Sequence, residues 1–188
     1  MKARFKYRFY PTTEQKQSLA RLFGCVRKVW NDSLALCKQS EKKPSSADLQ
    51  KIVITQAKKT EERAWLSEVS NIPLQQSVAD LEIAFKNFFD SCKGKRKGRK
   101  VGYPKFKKRA NSQSARFRIG GFSLKNGGVY LAKIGIVNPL WSRTLPSEPS
   151  GRHSNQRLCK SLFPEFCSRS STHSIWGEKP KYRNRFGN

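Results

Sequence analysis

The residues of this chain best suited to bind a ligand lie in one basic stretch, from Cys92 to Arg118. Between Lys93 and Arg109 the stretch holds ten cations and no acidic residue. The cations are Lys93, Lys95, Arg96, Lys97, Arg99, Lys100, Lys105, Lys107, Lys108 and Arg109. Tyr103 and Phe106 add aromatic rings among them. Cations neutralise phosphates and rings stack on bases, so this composition favours a nucleic-acid ligand. A solvated basic linker is the alternative interpretation.

The charge of the whole chain points to the same class of partner. The 188 residues carry 39 Lys and Arg against 13 Asp and Glu, a formal net charge of +26. Such an excess repels itself unless a polyanion neutralises it. The sequence contains no run of about 18 apolar residues, the length that a membrane-spanning helix needs. The N-terminus lacks the apolar block of a signal peptide. We therefore expect nucleic acid as the partner, with no membrane association.

The cysteines indicate where in the cell the chain is expected. The five cysteines are odd in number and irregularly spaced. Three fall within apolar helical patterns, where a reduced thiol behaves as a small hydrophobic side chain. This usage favours a reducing, cytoplasmic location, associated with the nucleoid if the ligand is DNA.

The elements that must position the basic stretch begin with a strand. Residues 2–10 alternate apolar and basic side chains, which is typical of a half-buried strand. Thr12 and Gln15 then predict a helix start with a capping box. The apolar pattern that follows predicts one helix ending at Gly24 and a second helix after it. Two helices joined at a glycine resemble a helix-turn-helix, although any helical hairpin would look the same.

Two further helical segments lead into the basic stretch. Ser46 is a predicted cap for a third helix, with Leu49, Ile52 and Val53 on its inner face. Trp65 and Leu66 are predicted core residues. The longest pattern follows Pro73 and repeats every three to four residues. Its predicted core positions are Leu74, Val78, Leu81, Phe85, Phe88, Phe89 and Cys92.

After residue 113 the apolar period returns to two. Strands are predicted at 114–119, at 122–124, at 129–131 and at 133–137, with Asn126-Gly127 as a hairpin turn. Residues 149–188 show no sustained period, and we expect no regular structure there. The order of strand, helical block and strands predicts an α+β fold, with a β-barrel or small sheet interrupted by a helical insertion.

Three motifs in this order resemble the N-terminal half of TnpB (OrfB) proteins of transposons, a family of RNA-guided DNA nucleases similar to type V CRISPR effectors. The motifs are RFYPTTEQKQSLARLFGCVRKVWND at 8–32, WLSEVSNIPLQQSVADLEIAFKNFF at 65–89, and GYPKFKKR at 102–109. The resemblance covers roughly residues 2–148. The Gly-x-Pro-x-Phe-Lys element of the family corresponds to Gly102, Pro104, Phe106 and Lys107.

The resemblance implies a division of the chain and a set of contact residues. Residues 1–11 and 114–148 would form a wedge-like β-barrel, 12–92 a helical recognition lobe, and 93–113 a Gly-rich linker. Lobe and barrel would hold a guide RNA and read a short motif in duplex DNA. Asn71, Ile72 and Gln75 would lie at that duplex, with Arg118 near the contribution of the barrel. Amide side chains suit base edges because they offer a donor and an acceptor together.

The chain also departs from the family pattern. The RuvC-like strand of the Gly-Ile-Asp type, whose carboxylates hold two metal ions about 4 Å apart, has no counterpart here. The acidic residues that follow Asp90 are Glu148, Glu165 and Glu178, and each lies in sequence without a pattern. The Cys-x-x-Cys zinc pairs of the family are absent. We therefore predict no metal or other cofactor, no catalytic residue and no cleavage. We expect residues 151–188 to be the frameshifted or degenerate end of a longer gene.

Several functions stay open at this level. The first is nucleic-acid binding without cleavage. Alternatives are a nuclease whose carboxylates come from elsewhere, a generic basic RNA-binding protein, and a pseudogene product that does not fold stably.

Overall fold

The structure is a computed structural model that describes residues 2–142 and three strands between 157 and 169. Side chains are described from residue 7 to residue 142. The fold is α+β, as predicted, with two long packed helices and small antiparallel sheets. In this part of the chain, no helix combines the length and the apolar character that crossing a bilayer requires.

The first helix, α1, spans Thr13–Gln39 without interruption. Its predicted capping box is present: the Thr12 hydroxyl accepts from the Gln15 amide, and the Gln15 side chain accepts from the Thr12 amide. The predicted helix end at Gly24 is wrong. Leu22, Val26 and Val29 are buried in register on both sides of it, and this burial outweighs the cost of a glycine inside a helix, about 1 kcal/mol.

The connection between the two long helices is helical but irregular. Helix α2 spans Ser46–Gln50 with Ser45 as its cap, a π-helix spans Lys51–Gln56, and 3-10 turns follow at Ala57–Lys59 and Glu61–Glu68. Leu49 and Val53 are buried as predicted. The wider π turn also buries Ile54 and leaves Ile52 exposed, so the prediction for Ile52 is wrong. Leu66 is buried as predicted, whereas Trp65 is 38% exposed and is not a core residue.

The second long helix, α3, spans Asn71–Cys92 with Ser70 at its N-cap position. Helix α3 packs on α1, and the buried Ser77 hydroxyl donates to the carbonyl of Val26. The predicted stripe is buried from Leu74 to Phe85. The last predicted positions are not core, because Phe89 and Cys92 are exposed.

The strands form three separate antiparallel sheets. One contains β3 (Phe122–Lys125), β4 (Gly128–Leu131) and β5 (Gly135–Val137) in that order. The predicted hairpin turn joins β3 and β4, with positive φ at Asn126 and Gly127. The predicted strands at 122–124 and 129–131 are confirmed, and that at 133–137 is confirmed only at 135–137.

The N-terminal strand is split into β1 (Lys2–Lys6) and β2 (Arg8–Phe9). Tyr7 and Phe9 are buried while Arg8 is exposed, so the predicted alternation holds where side chains are described. β6 (Pro139–Leu140) pairs with β2. The segment for which no regular structure was predicted contributes β7 (Arg157–Cys159), β8 (Ser161–Phe163) and β9 (Glu165–Arg169).

Long-range pairing explains these late strands. β9 pairs with β1, and β8 pairs with β2 and β7. Residues 157–169 lack the sustained alternation of apolar and polar side chains that predicted the N-terminal strand, so their strands could not be predicted from the sequence.

A closed barrel is not found among the described residues. The predicted strand at 114–119 is not a strand. Its Arg116 side chain bonds to Asp80 of α3 instead. Without this strand, no described strand pair bonds the β3–β4–β5 sheet to the sheets that contain β1 and β2. The chain still connects them, because β6 follows β5 after one residue and pairs with β2.

Candidate nucleic-acid interface

The basic stretch divides into two parts that differ in contacts. We call residues 93–100 the basic loop and residues 101–118 the docked segment. The loop begins where α3 ends. The amide of Gly94 donates to the Ser91 carbonyl and the amide of Lys95 to the Asp90 carbonyl, with Gly94 at φ +67°. This is a Schellman motif, so Gly94 fixes the point at which the loop leaves the helix.

The basic loop presents its cations to solvent. All residues from 93 to 100 are exposed. Among the described residues, no hydrogen bond or ion pair engages their side chains. The cations are Lys93, Lys95, Arg96, Lys97, Arg99 and Lys100. Six uncompensated positive charges on one short loop produce a positive potential that attracts a polyanion.

The docked segment begins with an anchor on the end of α3. The Val101 amide donates to the Ser91 hydroxyl at 3.0 Å. The Tyr103 ring then meets Phe85 and Phe88 edge to face, with 5.4 Å between ring centroids in each case. Pro104 beside it is buried. Residues 101–104 of the predicted Gly-rich linker therefore pack on the end of α3.

Two neighbouring side chains of α1 hold the next residues. The Trp30 indole donates to the Lys105 carbonyl at 3.0 Å. Asn31 bonds to both backbone groups of Lys107, accepting from its amide at 2.8 Å and donating to its carbonyl at 3.1 Å. Asn31 thus pairs with the segment as a neighbouring strand would.

Lys107 differs from the other cations of the stretch. Its ammonium lies 3.9 Å from the centroid of the Trp30 ring. Burial lowers the pKa of Lys107, and the nearby Asp80 carboxylate partly offsets this. Lys107 was predicted as a nucleic-acid contact, but the structure places its ammonium against the protein.

The two predicted stacking rings are also engaged from one side. Lys38 of α1 holds its ammonium 4.7 Å from the centroid of Phe106 and 5.8 Å from that of Tyr103. Tyr103 is 39% exposed and Phe106 45% exposed, so each ring keeps surface for a ligand. Lys38 was missed by the sequence reasoning. The sequence does place Lys38 in the last turn of α1, where a cation complements the helix dipole, and this position could have singled it out.

The docked segment then runs back along both helices. Gln113 accepts from Arg27 of α1 at 2.8 Å. Arg116 bonds to Asp80 of α3 at 2.7 Å. Burial raises the pKa of Asp80, although Arg116 and then Lys107 act in the opposite direction. Two basic residues of the stretch, Lys107 and Arg116, therefore serve to attach it.

The predicted duplex contacts lie at the other end of α3. Asn71 and Gln75 are exposed, and Asn71 accepts from Lys58. Arg118 is exposed near them, because the following turn brings Gly121 against Ile72. At 1.5 Å per residue, α3 separates this group from the basic loop by about 30 Å. The structure thus brings Asn71, Gln75 and Arg118 to one end of the helix and leaves the loop cations at the other.

The remaining predicted cations lie between these ends. Lys105, Lys108 and Arg109 belong to the docked segment and are exposed. The segment runs from Ser91 back to Asp80, so these three residues connect the basic loop with the Arg118 end. The predicted contact residues therefore follow one path along the paired helices α1 and α3.

Acidic and metal-ligating side chains do not gather in the described part of the chain. No group of three His, Cys, Asp or Glu side chains there could hold a metal ion. The side chains of Glu148, Glu165 and Glu178 lie outside the described residues, as do those of His153, Cys159, Cys167 and His173.

Comparison with known proteins decides the family. Residues 1–43 match a family model, HTH_OrfB_IS605, described as a helix-turn-helix domain. A protein of Streptomyces pristinaespiralis named "Putative RNA-guided DNA endonuclease" is 42% identical over 159 residues, which are 80% of this chain and 37% of that protein. "Putative RNA-guided DNA endonuclease InsQ" of Escherichia coli (strain K12) is 30% identical over 70% of this chain and 32% of its own length.

The chain belongs to the OrfB (TnpB) family. It corresponds to the N-terminal portion of such transposon proteins and spans about a third of the length of these two relatives. A third relative, "Virulence protein VsdF" of Salmonella dublin, is 36% identical over 92 residues, 43% of this chain and 76% of that protein.

The OrfB match also bears on α1. The matched residues 1–43 contain β1, β2 and the whole of α1. The family description supports the predicted helix-turn-helix relationship, whereas in this chain residues 13–39 form one helix with no turn at Gly24.

Proposed function

We propose that this chain binds nucleic acid through the basic loop and the docked segment, holding a guide-like RNA and the DNA next to a transposon end. The observation that carries the proposal is the group of six exposed, unpaired cations that the Schellman turn at Gly94 fixes at the end of α3. Phosphates are the ligand that such a group attracts most strongly. DNA binding would locate the chain at the nucleoid.

The relatives support RNA and DNA as the two ligands, since two of them are named as RNA-guided DNA endonucleases. The separation of the predicted contacts fits two ligands as well. At one end of α3, the amides of Asn71 and Gln75 suit base edges, and Arg118 suits a phosphate of the same duplex. The basic loop at the other end suits a phosphate backbone of any sequence.

The proposal includes binding without cleavage by this chain. Two-metal hydrolysis needs carboxylates that converge on the ions. The sequence contains no strand of the Gly-Ile-Asp type, which supplies the first of them in the family.

A binding titration at several salt concentrations tests the first part. If six loop cations each meet a phosphate of a single strand, the logarithm of the association constant should fall with the logarithm of the salt concentration with a slope of about −4. An affinity that does not change between low and moderate salt would refute the proposal.

A cleavage assay tests the second part. The purified chain is incubated with Mg²⁺, the RNA transcribed from the transposon end and a target DNA duplex. We expect a shifted complex and intact DNA. Cut DNA would show that the chain is a nuclease and that its carboxylates were not recognised in the sequence.

A further inference from the structure

A cleft on α1, away from the basic loop, has the properties of a small binding site. It lies between α1 and the 3-10 segment Glu61–Glu68 and has a volume of about 420 Å³, within the range of small-ligand sites. Trp65 lines it with a ring that is 38% exposed. The Trp65 indole donates to the Glu62 carbonyl at 2.8 Å, which fixes the orientation of the ring.

Gly24 lines the same cleft and has no other explanation in the described part of the chain. It lies within α1, where glycine is the poorest helix former apart from proline. Its φ is not positive, and a Cβ added to it would meet no atom within 4 Å. Neither a turn nor close packing therefore requires a glycine here. The missing side chain leaves open space at the cleft.

The charge around the cleft is positive. Arg21, Arg27 and Lys28 line it together with one carboxylate, that of Glu68. Lys28 also pairs with Asp32 beside the cleft at 3.0 Å, and the Lys28 side chain stays 43% exposed. Glu68 pairs with Arg21 at 3.5 Å, and both side chains are more than half exposed, so this pair is weak and exchangeable. Burial raises the pKa of the Cys25 thiol, which also lines the cleft, to about 11, so Cys25 adds no negative charge at neutral pH.

The cleft adjoins the docked segment. Arg27 contacts the cleft and also donates to Gln113 of that segment. Asn31 likewise lines the cleft and holds Lys107. The docked segment and the cleft therefore share Arg27 and Asn31 as neighbours.

We propose that this cleft takes one unpaired base of a single-stranded nucleic acid, stacked on Trp65 above Gly24, with the adjacent phosphate on Arg21, Arg27 and Lys28. The inference rests on the proposed function and adds to it a subsite that reads the base face instead of the backbone. Base stacking on an aromatic side chain is tolerant of sequence, so the subsite would bind any base.

The test is Gly24→Ala in the full chain, because the added methyl group would occupy the space above the helix. Three fluorescent ligands of equal length are compared: a single-stranded RNA, its DNA counterpart, and an abasic DNA with the same phosphates. We expect a loss of affinity of roughly 10-fold for the base-bearing strands, as for Trp65→Ala, and no change for the abasic strand. The Tm should rise, since alanine is the better helix former.

Gln17→Ala is the matched control, since Gln17 is exposed on α1 and does not line the cleft. It should leave all three affinities unchanged. A loss with RNA alone, or with RNA and DNA together, supports the subsite and identifies its ligand. Unchanged affinity for both base-bearing strands, or an equal loss with the abasic strand, would overturn it. If the unsubstituted chain binds none of the three ligands, the proposed function fails, and this outcome is distinguishable from failure of the subsite alone.

Discussion

The basic loop and the docked segment each hold six cations, but they have opposite relationships to the rest of the protein. The loop holds six cations with no partner among the described residues. In the docked segment, Lys107 contacts the Trp30 ring and Arg116 pairs with Asp80. Its backbone also hydrogen-bonds to the side chains of Trp30 and Asn31. A basic residue therefore contributes to binding or to stability according to its neighbours, and composition alone does not distinguish the two roles.

Removing the surface on which the docked segment lies should have the largest effect. Trp30→Ala deletes the ring under Lys107 and the donor to Lys105, and should cost about 4 kcal/mol of unfolding free energy. Trp30→Phe keeps a ring and should cost less. Denaturant unfolding measures both. If Trp30→Ala loses no more unfolding free energy than Arg96→Ala in the basic loop, the docked segment does not depend on Trp30 for its attachment.

Removing the backbone clamp should have the next largest effect. Asn31→Ala deletes two hydrogen bonds to Lys107 and should cost about 2 kcal/mol. Arg96→Ala is the contrast in the basic loop and should stay within about 0.5 kcal/mol of the unsubstituted chain. Equal unfolding midpoints for the two variants would show that the docked segment is not held by Asn31.

The turn after the docked segment predicts a smaller effect. A Cβ at Gly121 would lie 3.1 Å from two atoms of Ile72 and 3.2 Å from Phe117, so Gly121→Ala should cost about 1 to 2 kcal/mol. Gly102→Ala is the control, because a Cβ there meets nothing within 4 Å and φ is not positive. It should be neutral or slightly stabilising. A destabilised Gly102→Ala would show that the segment packs differently near Tyr103.

The smallest expected effect is a pH dependence at Asp80. Because burial raises its pKa above the ordinary value, the favourable contribution of Asp80 is fully present below pH about 4 and is lost as pH rises through the raised pKa. Asp80→Asn should therefore gain stability relative to the unsubstituted chain as pH rises. The change should be below about 1 kcal/mol, because Asp80 is partly exposed. The opposite slope would mean that Arg116 outweighs burial.

Local patterns predicted the parts of the fold whose causes are local. The capping box of Thr12, the Asn126-Gly127 turn and the buried alternation of Tyr7 and Phe9 all follow from residues within a few positions of each other. The break at Gly24 was predicted by the same kind of local signal. It failed because burial on both sides of the glycine decides the outcome.

The rest depended on distant partners. The 114–119 alternation correctly buries Phe117, but Arg116 turns inward to Asp80 and Ile119 is 73% exposed. The candidate site followed the same rule. The basic loop was predicted from its composition, whereas the inward placement of Lys107, the cation Lys38 over Phe106 and the cleft at Gly24 required contacts between residues far apart in the chain.

The most direct test compares two variants that each lose five positive charges, at different places on the protein. One replaces Lys95, Arg96, Lys97, Arg99 and Lys100 of the basic loop with Gln. The other replaces five exposed lysines elsewhere, Lys16, Lys42, Lys51, Lys59 and Lys86. The measurement is the salt dependence of single-stranded RNA binding, with the Tm of each variant recorded alongside.

If the basic loop grips phosphates, the loop variant should lose about 0.7 of the log–log slope for each contact removed, with an unchanged Tm. The matched variant should keep a slope close to that of the unsubstituted chain. Equal slopes for the two variants would contradict the account, because binding would then follow net charge instead of the loop.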